Sequence, residues 1–201
     1  MTVLYFKLQE FYMKYSLSFR LWHWLSAFVV LGLLGTVFLR KTFLSWRTNS
    51  EILLSKLQEM GVEISIEQAK ILAKAIRAGM WEWHILLGYA LVALLFYRAY
   101  VAYANRGTKE SFSSLSLHKK GVQSLYYLFY SVLIFMSASG LVIHFYEELH
   151  LAKESASAIK ELHELAYNFF LFFVPLHVVG VLIAENRDER GLISSMIHGK
   201  H

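Results

Sequence analysis

The sequence contains no cysteine and a single proline, and only 17% of its 201 residues are charged. The absence of cysteine excludes disulfides, thiolate-held iron–sulfur clusters and the Cys-x-x-Cys-His attachment of a c-type haem. Soluble domains carry about 25% charged residues, whereas this chain is 56% hydrophobic. The composition therefore predicts a membrane protein in which any redox cofactor is held by histidine or methionine.

Four apolar segments approach or exceed the roughly 20 residues that a membrane-spanning helix needs. The predicted transmembrane helices are residues 20–39, 82–104, 121–146 and 163–185. We expect an all-α fold, an integral membrane four-helix bundle, in which residues 1–201 form a single domain.

The polar connection at residues 40–80 is predicted to form a short external helical hairpin between the first two membrane helices. Ser65 followed by Gln68 matches a capping box, which marks the start of a helix. Gly61 is suited to the position just after a helix end, so it predicts the end of an earlier arm near Met60.

Lysine and arginine are concentrated in the N-terminal segment and in the connection between the second and third helices, whereas the connection between the third and fourth is acidic on balance. The positive-inside rule then places both termini in the cytoplasm of a multi-pass protein of the bacterial inner membrane. The net charge of +5 is accounted for by this topology. We therefore expect membrane lipid, and no nucleic acid, as a partner.

Four histidines stand out by their positions in the membrane helices. His163 and His177 are fourteen residues apart, which places them within about 40° of one helix face and about 21 Å apart along the axis. His84 begins the second helix at the external end, and His23 lies near the cytoplasmic end of the first. Pairing by depth gives His84 with His163 and His23 with His177. Each pair of imidazoles suits axial coordination of a non-covalent haem b, one near each membrane face.

At this point the chain resembles the bacterial cytochrome b561 superfamily, and within it the b-type cytochrome subunits of membrane-bound Ni–Fe hydrogenases. The resemblance lies in the four helices and the tail, and its motifs are Arg-Leu-Trp-His-Trp at residues 20–24, His84 with Gly88 and Arg98, His163 with His177, Tyr-Arg-Ala-Tyr at residues 97–100, and the tail at residues 190–199. It implies electron transfer between an external redox partner and the quinone pool, with quinone reacting near the cytoplasmic haem. The partner is expected to be an iron–sulfur subunit, since this chain has no cysteine to hold such a cluster.

Several alternatives remain open from the sequence. Arg20 and Arg98 are expected either to bind haem propionates or to anchor the helices at the cytoplasmic face. His144, near the external end of the third helix, is expected to bridge helices, to hydrogen-bond a haem propionate or to be an alternative ligand of the external haem. Formate dehydrogenase and thiosulfate reductase subunits share the histidine layout. A stand-alone cytochrome that oxidises a small reductant such as superoxide is another alternative, as is a histidine-containing transporter. We predict no residue that performs substrate bond chemistry.

Overall fold

The computed structural model describes residues 15–104, 112–187 and 189–199, and within these ranges the chain is helical, with no strand. The α-helices are α1 (Leu17–Lys41), α2 (Trp46–Glu59), α3 (Ile66–Ala104), α4 (Leu117–His144), α5 (Lys153–Arg187) and α6 (Leu192–Ile197), and a 3-10 turn covers Phe112–Ser114. Helices α1, α3, α4 and α5 are each long and apolar enough to cross a membrane. The prediction of an all-α chain with four such helices is confirmed.

Two of the long helices extend well beyond the predicted apolar segments. Helix α3 begins at Ile66 rather than near residue 82, and α5 begins at Lys153 rather than near residue 163. The second arm of the predicted hairpin is therefore not a separate helix, because it continues without interruption into the membrane-length segment. The basic connection used for the topology prediction lies partly at residues 105–111, outside the described residues.

The connection at residues 60–65 shows how local sequence directs the chain here. Gly61 has a φ of +75°, a conformation that glycine adopts without a steric penalty. The N–H of Gly61 donates to the carbonyl of Gln58, and that of Val62 donates to Leu57, so α2 ends in a Schellman motif. At the start of α3, the Ser65 N–H donates to the side chain of Gln68 at 2.7 Å, and the Gln68 N–H donates to Ser65 Oγ at 3.2 Å. The predicted capping box is present.

The chain divides into two compact units. The smaller unit consists of residues 28–92, and the larger unit consists of residues 1–27 and 93–201. In the smaller unit α1 and α3 approach closely at Gly32, where an added Cβ would lie 3.0 Å from a terminal methyl group of Leu87. Small residues permit such close approach between membrane helices. The Lys74 ammonium lies 5.5 Å from the centroid of the Trp46 ring, which joins α2 to the first turns of α3.

In the larger unit, aromatic side chains pack α4 against α5. The rings of Phe129 and Phe173 stack with centroids 4.5 Å apart, and Phe170 meets Phe129 edge-on at 5.8 Å. Leu133, Phe170 and Phe173 are buried. Large apolar side chains elsewhere on the long helices are exposed, including Phe28, Phe96 and Phe172. Their exposure suits contact with lipid rather than water.

The tail helix α6, part of the larger unit, is hydrogen-bonded to the end of α5. The Glu185 carboxylate accepts hydrogen bonds from the backbone N–H groups of Gly191 at 2.9 Å and Ile193 at 2.8 Å. Gly191 has a φ of +83°, and Ser195 of α6 is fully buried. The acidic side chain at the end of α5 thus holds the first turn of the tail helix in place.

Candidate functional site

The larger unit brings His23 of α1 and His177 of α5 together. Their imidazole centroids are 6.1 Å apart, with the ring planes inclined at 54°. Both side chains are half-buried. The His177 ring stacks almost parallel on Phe173, one turn earlier, with an interplanar angle of 8°, and His23 meets Trp24 edge-on. Aromatic neighbours therefore hold both imidazoles.

The separation of these two rings would leave room for a metal ion between one nitrogen of each imidazole. A metal ion bound by two imidazole nitrogens at about 2.0–2.1 Å each puts the ring centroids roughly 6 Å apart, and the observed distance is 6.1 Å. Direct hydrogen bonding between the rings would bring them closer. His23 and His177 would therefore suit a haem iron held between them.

Buried polar atoms without partners lie one turn on either side of His23. Arg20 Nε and Ser26 Oγ are both inaccessible to solvent and have no hydrogen-bond partner among the described residues. The other end of the Arg20 guanidinium donates to the carbonyl of Ile197 at 3.1 Å. Buried donors normally have acceptors, and the described residues provide none for the Arg20 Nε–H. A haem propionate would be a suitable acceptor.

The tail helix lies against the residues that flank His23. Besides the bond from Arg20 to Ile197, the indole N–H of Trp24 donates to the carbonyl of Met196 at 3.2 Å. Both acceptors are at the end of α6, where helix carbonyls lack intrahelical partners. The end of the tail helix therefore contacts residues on both sides of His23 in the sequence, Arg20 and Trp24.

The Arg98 side chain packs among aromatic rings of the larger unit, whereas a residue that only anchors a helix at the membrane surface would need no such contacts. Its guanidinium lies 5.3 Å from the ring centroids of Phe19 and Trp22, and its Nε donates to the Tyr130 hydroxyl at 3.1 Å. The indole N–H of Trp22 donates in turn to the carbonyl of Leu94. These contacts make Arg98 part of the packing between α1, α3 and α4 in the larger unit.

His84 of α3 lies in the smaller unit with two close neighbours. Its Nδ1 is 2.7 Å from the hydroxyl oxygen of Thr36 on α1, and its ring stacks on Trp81 with an interplanar angle of 5°. A Cβ added at Gly88, one turn further along α3, would meet no described atom within 4 Å. The open backbone at Gly88 leaves room for a flat ligand beside the His84 helix.

His163 of α5 lies in the larger unit against two small residues of α4. Its Nδ1 is 2.8 Å from the hydroxyl oxygen of Ser139, and its Cε1 is 3.4 Å from the position a Cβ would take at Gly140. His144 is the last residue of α4 and is exposed. His84 and His163 belong to different units, and each has its own hydroxyl partner.

Sequence reasoning missed Thr36, Ser139 and Trp81. The two hydroxyl residues carried a usable signal, since a buried hydroxyl in an apolar helix needs a partner and often finds one on a neighbouring helix. In the aromatic run at residues 169–173, Phe170 and Phe173 are buried. The stacking of Phe173 on His177 shows that packing also orients a candidate ligand.

These features define an integral membrane protein whose half-buried histidines suit an iron porphyrin. A family model described as prokaryotic cytochrome b561 matches residues 14–199. The chain therefore belongs to the prokaryotic cytochrome b561 family, and the matched range includes the connection at residues 40–80. Membership makes it a multi-pass bacterial membrane cytochrome of the b type, with haem b as its cofactor and electron transfer as its role. No curated protein and no solved structure matches the chain.

Proposed function

We propose that the protein is a di-haem cytochrome b that passes electrons between an external redox partner and the quinone pool. One haem is held by His23 and His177 and the other by His84 and His163. The observation that carries this proposal is the 6.1 Å separation of the His23 and His177 rings, together with the unpartnered Nε–H of Arg20 beside them.

The pairing of His84 with His163 rests on their membrane depths, as predicted from their positions in the apolar segments. The fourteen-residue spacing of His163 and His177 corresponds to about 21 Å along the α5 axis. This distance places the two haems towards opposite faces of a hydrocarbon core of about 30 Å.

Haem b supplies reversible one-electron exchange when bound. The chain's own residues orient the ligands and control their surroundings. Phe173 and Trp24 pack against the His177 and His23 rings, and the partial burial of these imidazoles strengthens the electrostatic influence of nearby charges. Arg20 and Arg98 are proposed to lie near the propionates of the same haem, where a guanidinium offsets carboxylate charge.

The electron donor is proposed to be an iron–sulfur subunit of a hydrogenase-like respiratory complex. This proposal rests on the resemblance of the motifs at residues 97–100 and 190–199, and on the absence of cysteine from the chain. The sequence favours an inner-membrane location with both termini in the cytoplasm, which places the His23–His177 pair towards the quinone-reactive side.

A reduced-minus-oxidised absorption spectrum of the detergent-purified protein, with haem quantified per chain, tests the cofactor proposal. We expect two low-spin b haems per chain, both oxidised by a quinone analogue. A single haem would refute one of the two histidine pairs, and a colourless protein after haem supplementation would refute the function.

The partner proposal needs a separate experiment in native membranes. Purification of the tagged chain is expected to recover an iron–sulfur protein in constant proportion. If the isolated chain instead oxidises superoxide at full rate without any partner, the stand-alone cytochrome replaces the subunit proposal.

A further inference from the structure

The same local contact occurs at two of the four histidines, once in each compact unit. His163 Nδ1 is 2.8 Å from Ser139 Oγ, and His84 Nδ1 is 2.7 Å from Thr36 Oγ1. Both hydroxyl residues are buried, at 4% and 8% exposure respectively. In each case the hydroxyl comes from a long helix other than the one that carries the histidine. The repeated arrangement calls for a common chemical explanation.

The hydroxyl hydrogens are already used within their own helices. Ser139 Oγ donates to the carbonyl of Phe135 at 2.7 Å, with Met136 as a second acceptor at 3.2 Å. Thr36 Oγ1 donates to the carbonyl of Leu33 at 2.7 Å. A hydroxyl has one hydrogen and two lone pairs, so each oxygen presents a lone pair to the nearby imidazole nitrogen.

This direction of hydrogen bonding determines the imidazole tautomer. With the hydroxyl hydrogens assigned to these carbonyls, the oxygens accept from the imidazoles, and we assign the proton of His163 and of His84 to Nδ1. A neutral imidazole has only one N–H, so Nε2 is the unprotonated nitrogen that is able to bind a metal. The assignment follows from the hydrogen-bond network, in which both hydroxyl hydrogens have carbonyl acceptors.

We propose that Ser139 and Thr36 are positioning residues that set the tautomer and ring orientation of His163 and His84 as haem ligands. This inference rests on the proposed function, in which these two histidines bind one haem. Donation of Nδ1–H to an oxygen makes the imidazole a more basic ligand, which favours ferric over ferrous iron. The two hydroxyls therefore lower the midpoint potential of that haem.

The other histidine pair has a different environment. The contacts of His23 and His177 are with each other and with the rings of Trp24 and Phe173. In the described part of the chain no hydroxyl group is hydrogen-bonded to either ring. The effect of Ser139 and Thr36 is thus confined to one of the two proposed haems, and a titration that resolves two potentials distinguishes it.

The test is a spectroelectrochemical titration of the full-length, haem-loaded protein in detergent. Ser139→Ala and Thr36→Val are expected to raise the midpoint potential of the same haem. The largest expected change is about tenfold in the ferrous-to-ferric ratio, because the net contribution of one hydrogen bond is of that order. This corresponds to 59 mV for one electron. Ser139→Thr and Thr36→Ser retain the hydroxyl and are expected to restore the original value.

Ser137 provides a matched control on the same helix. Its hydroxyl is buried and has no hydrogen-bond partner among the described residues, so Ser137→Ala removes a comparable group without touching His163. We expect both midpoint potentials to remain unchanged in this variant. An equal shift in Ser137→Ala and Ser139→Ala would overturn the inference, because the effect would then reflect general packing of α4.

Other outcomes separate this inference from the proposed function. If His163→Ala loses a haem but Ser139→Ala leaves both potentials unchanged, only the hydroxyl role is refuted. If His163→Ala retains both haems, the ligand assignment itself is wrong. If Ser139→Ala loses the haem, retention in Ser139→Thr supports the hydroxyl role, and loss in both variants refutes it.

Discussion

Replacement of His177 with glycine is the most informative perturbation of the proposed pair of haems. It removes one of two rings that lie 6.1 Å apart and leaves a gap the size of an imidazole beside Phe173. No group of three or more histidine, aspartate or glutamate side chains suited to a metal occurs among the described residues, so no such third side chain joins His23 to replace the lost ligand. We expect the variant to retain about one haem per chain, because loss of an axial ligand exceeds the 10–100-fold penalty of losing a ligand's hydrogen-bond partner.

The assay combines pyridine haemochrome quantification with the low-spin absorption spectrum of the reduced protein. Free imidazole added during haem loading is expected to restore the missing low-spin haem, since it fits the gap left by the glycine. His144→Gly is the matched control, because His144 is an exposed residue at the end of α4 and its loss should leave both haems. Retention of two low-spin haems in His177→Gly would refute the pairing with His23.

Three further predictions concern residues that support the site. Phe173→Leu removes a ring stacked on His177; such stacking contributes about 0.5–1.5 kcal/mol, so haem affinity measured by transfer to apomyoglobin should fall about two- to tenfold, and an unchanged affinity would show that the stacking is incidental. Gly140→Ala should retain haem, whereas Gly140→Leu should displace the His163 ring, whose Cε1 is 3.4 Å from the Cβ position; equal haem content in both variants would contradict this. Gly61→Ala forces a left-handed φ of +75° on alanine at a cost of about 1–2 kcal/mol, so the melting temperature should fall while both haems remain at low temperature.

The features predicted well from sequence are those specified by neighbouring residues. Ser65, Gln68 and Gly61 determine the helix ends at residues 60–65 through hydrogen bonds that span only a few positions. Hydropathy likewise indicated the four long apolar helices, because a spanning segment must be apolar over its whole length. His23 and His177 were paired from their positions in those segments, and their rings lie side by side.

Hydropathy alone did not predict where α3 begins. Residues 66–81 are polar enough to leave the membrane, but they contain no proline, and Gly79 alone is not enough to end a helix. Helix α3 therefore continues through the expected break. The partners Thr36 and Ser139 were missed for another reason, since a hydrogen bond between helices depends on the rotation of each helix about its axis, which apolar content does not specify.

The uninterrupted α3 also has a mechanical consequence. Between Ile66 and His84, both in the smaller unit, α3 is uninterrupted and rises about 27 Å, so His84 lies on the same helix as the polar turns that begin at Ile66. Twisting those turns therefore changes the azimuth of the His84 ring, because no hinge absorbs the rotation. Deletion of one residue between them would turn the imidazole by about 100°. The number of residues in the polar arm therefore determines the direction in which the His84 imidazole projects relative to that arm.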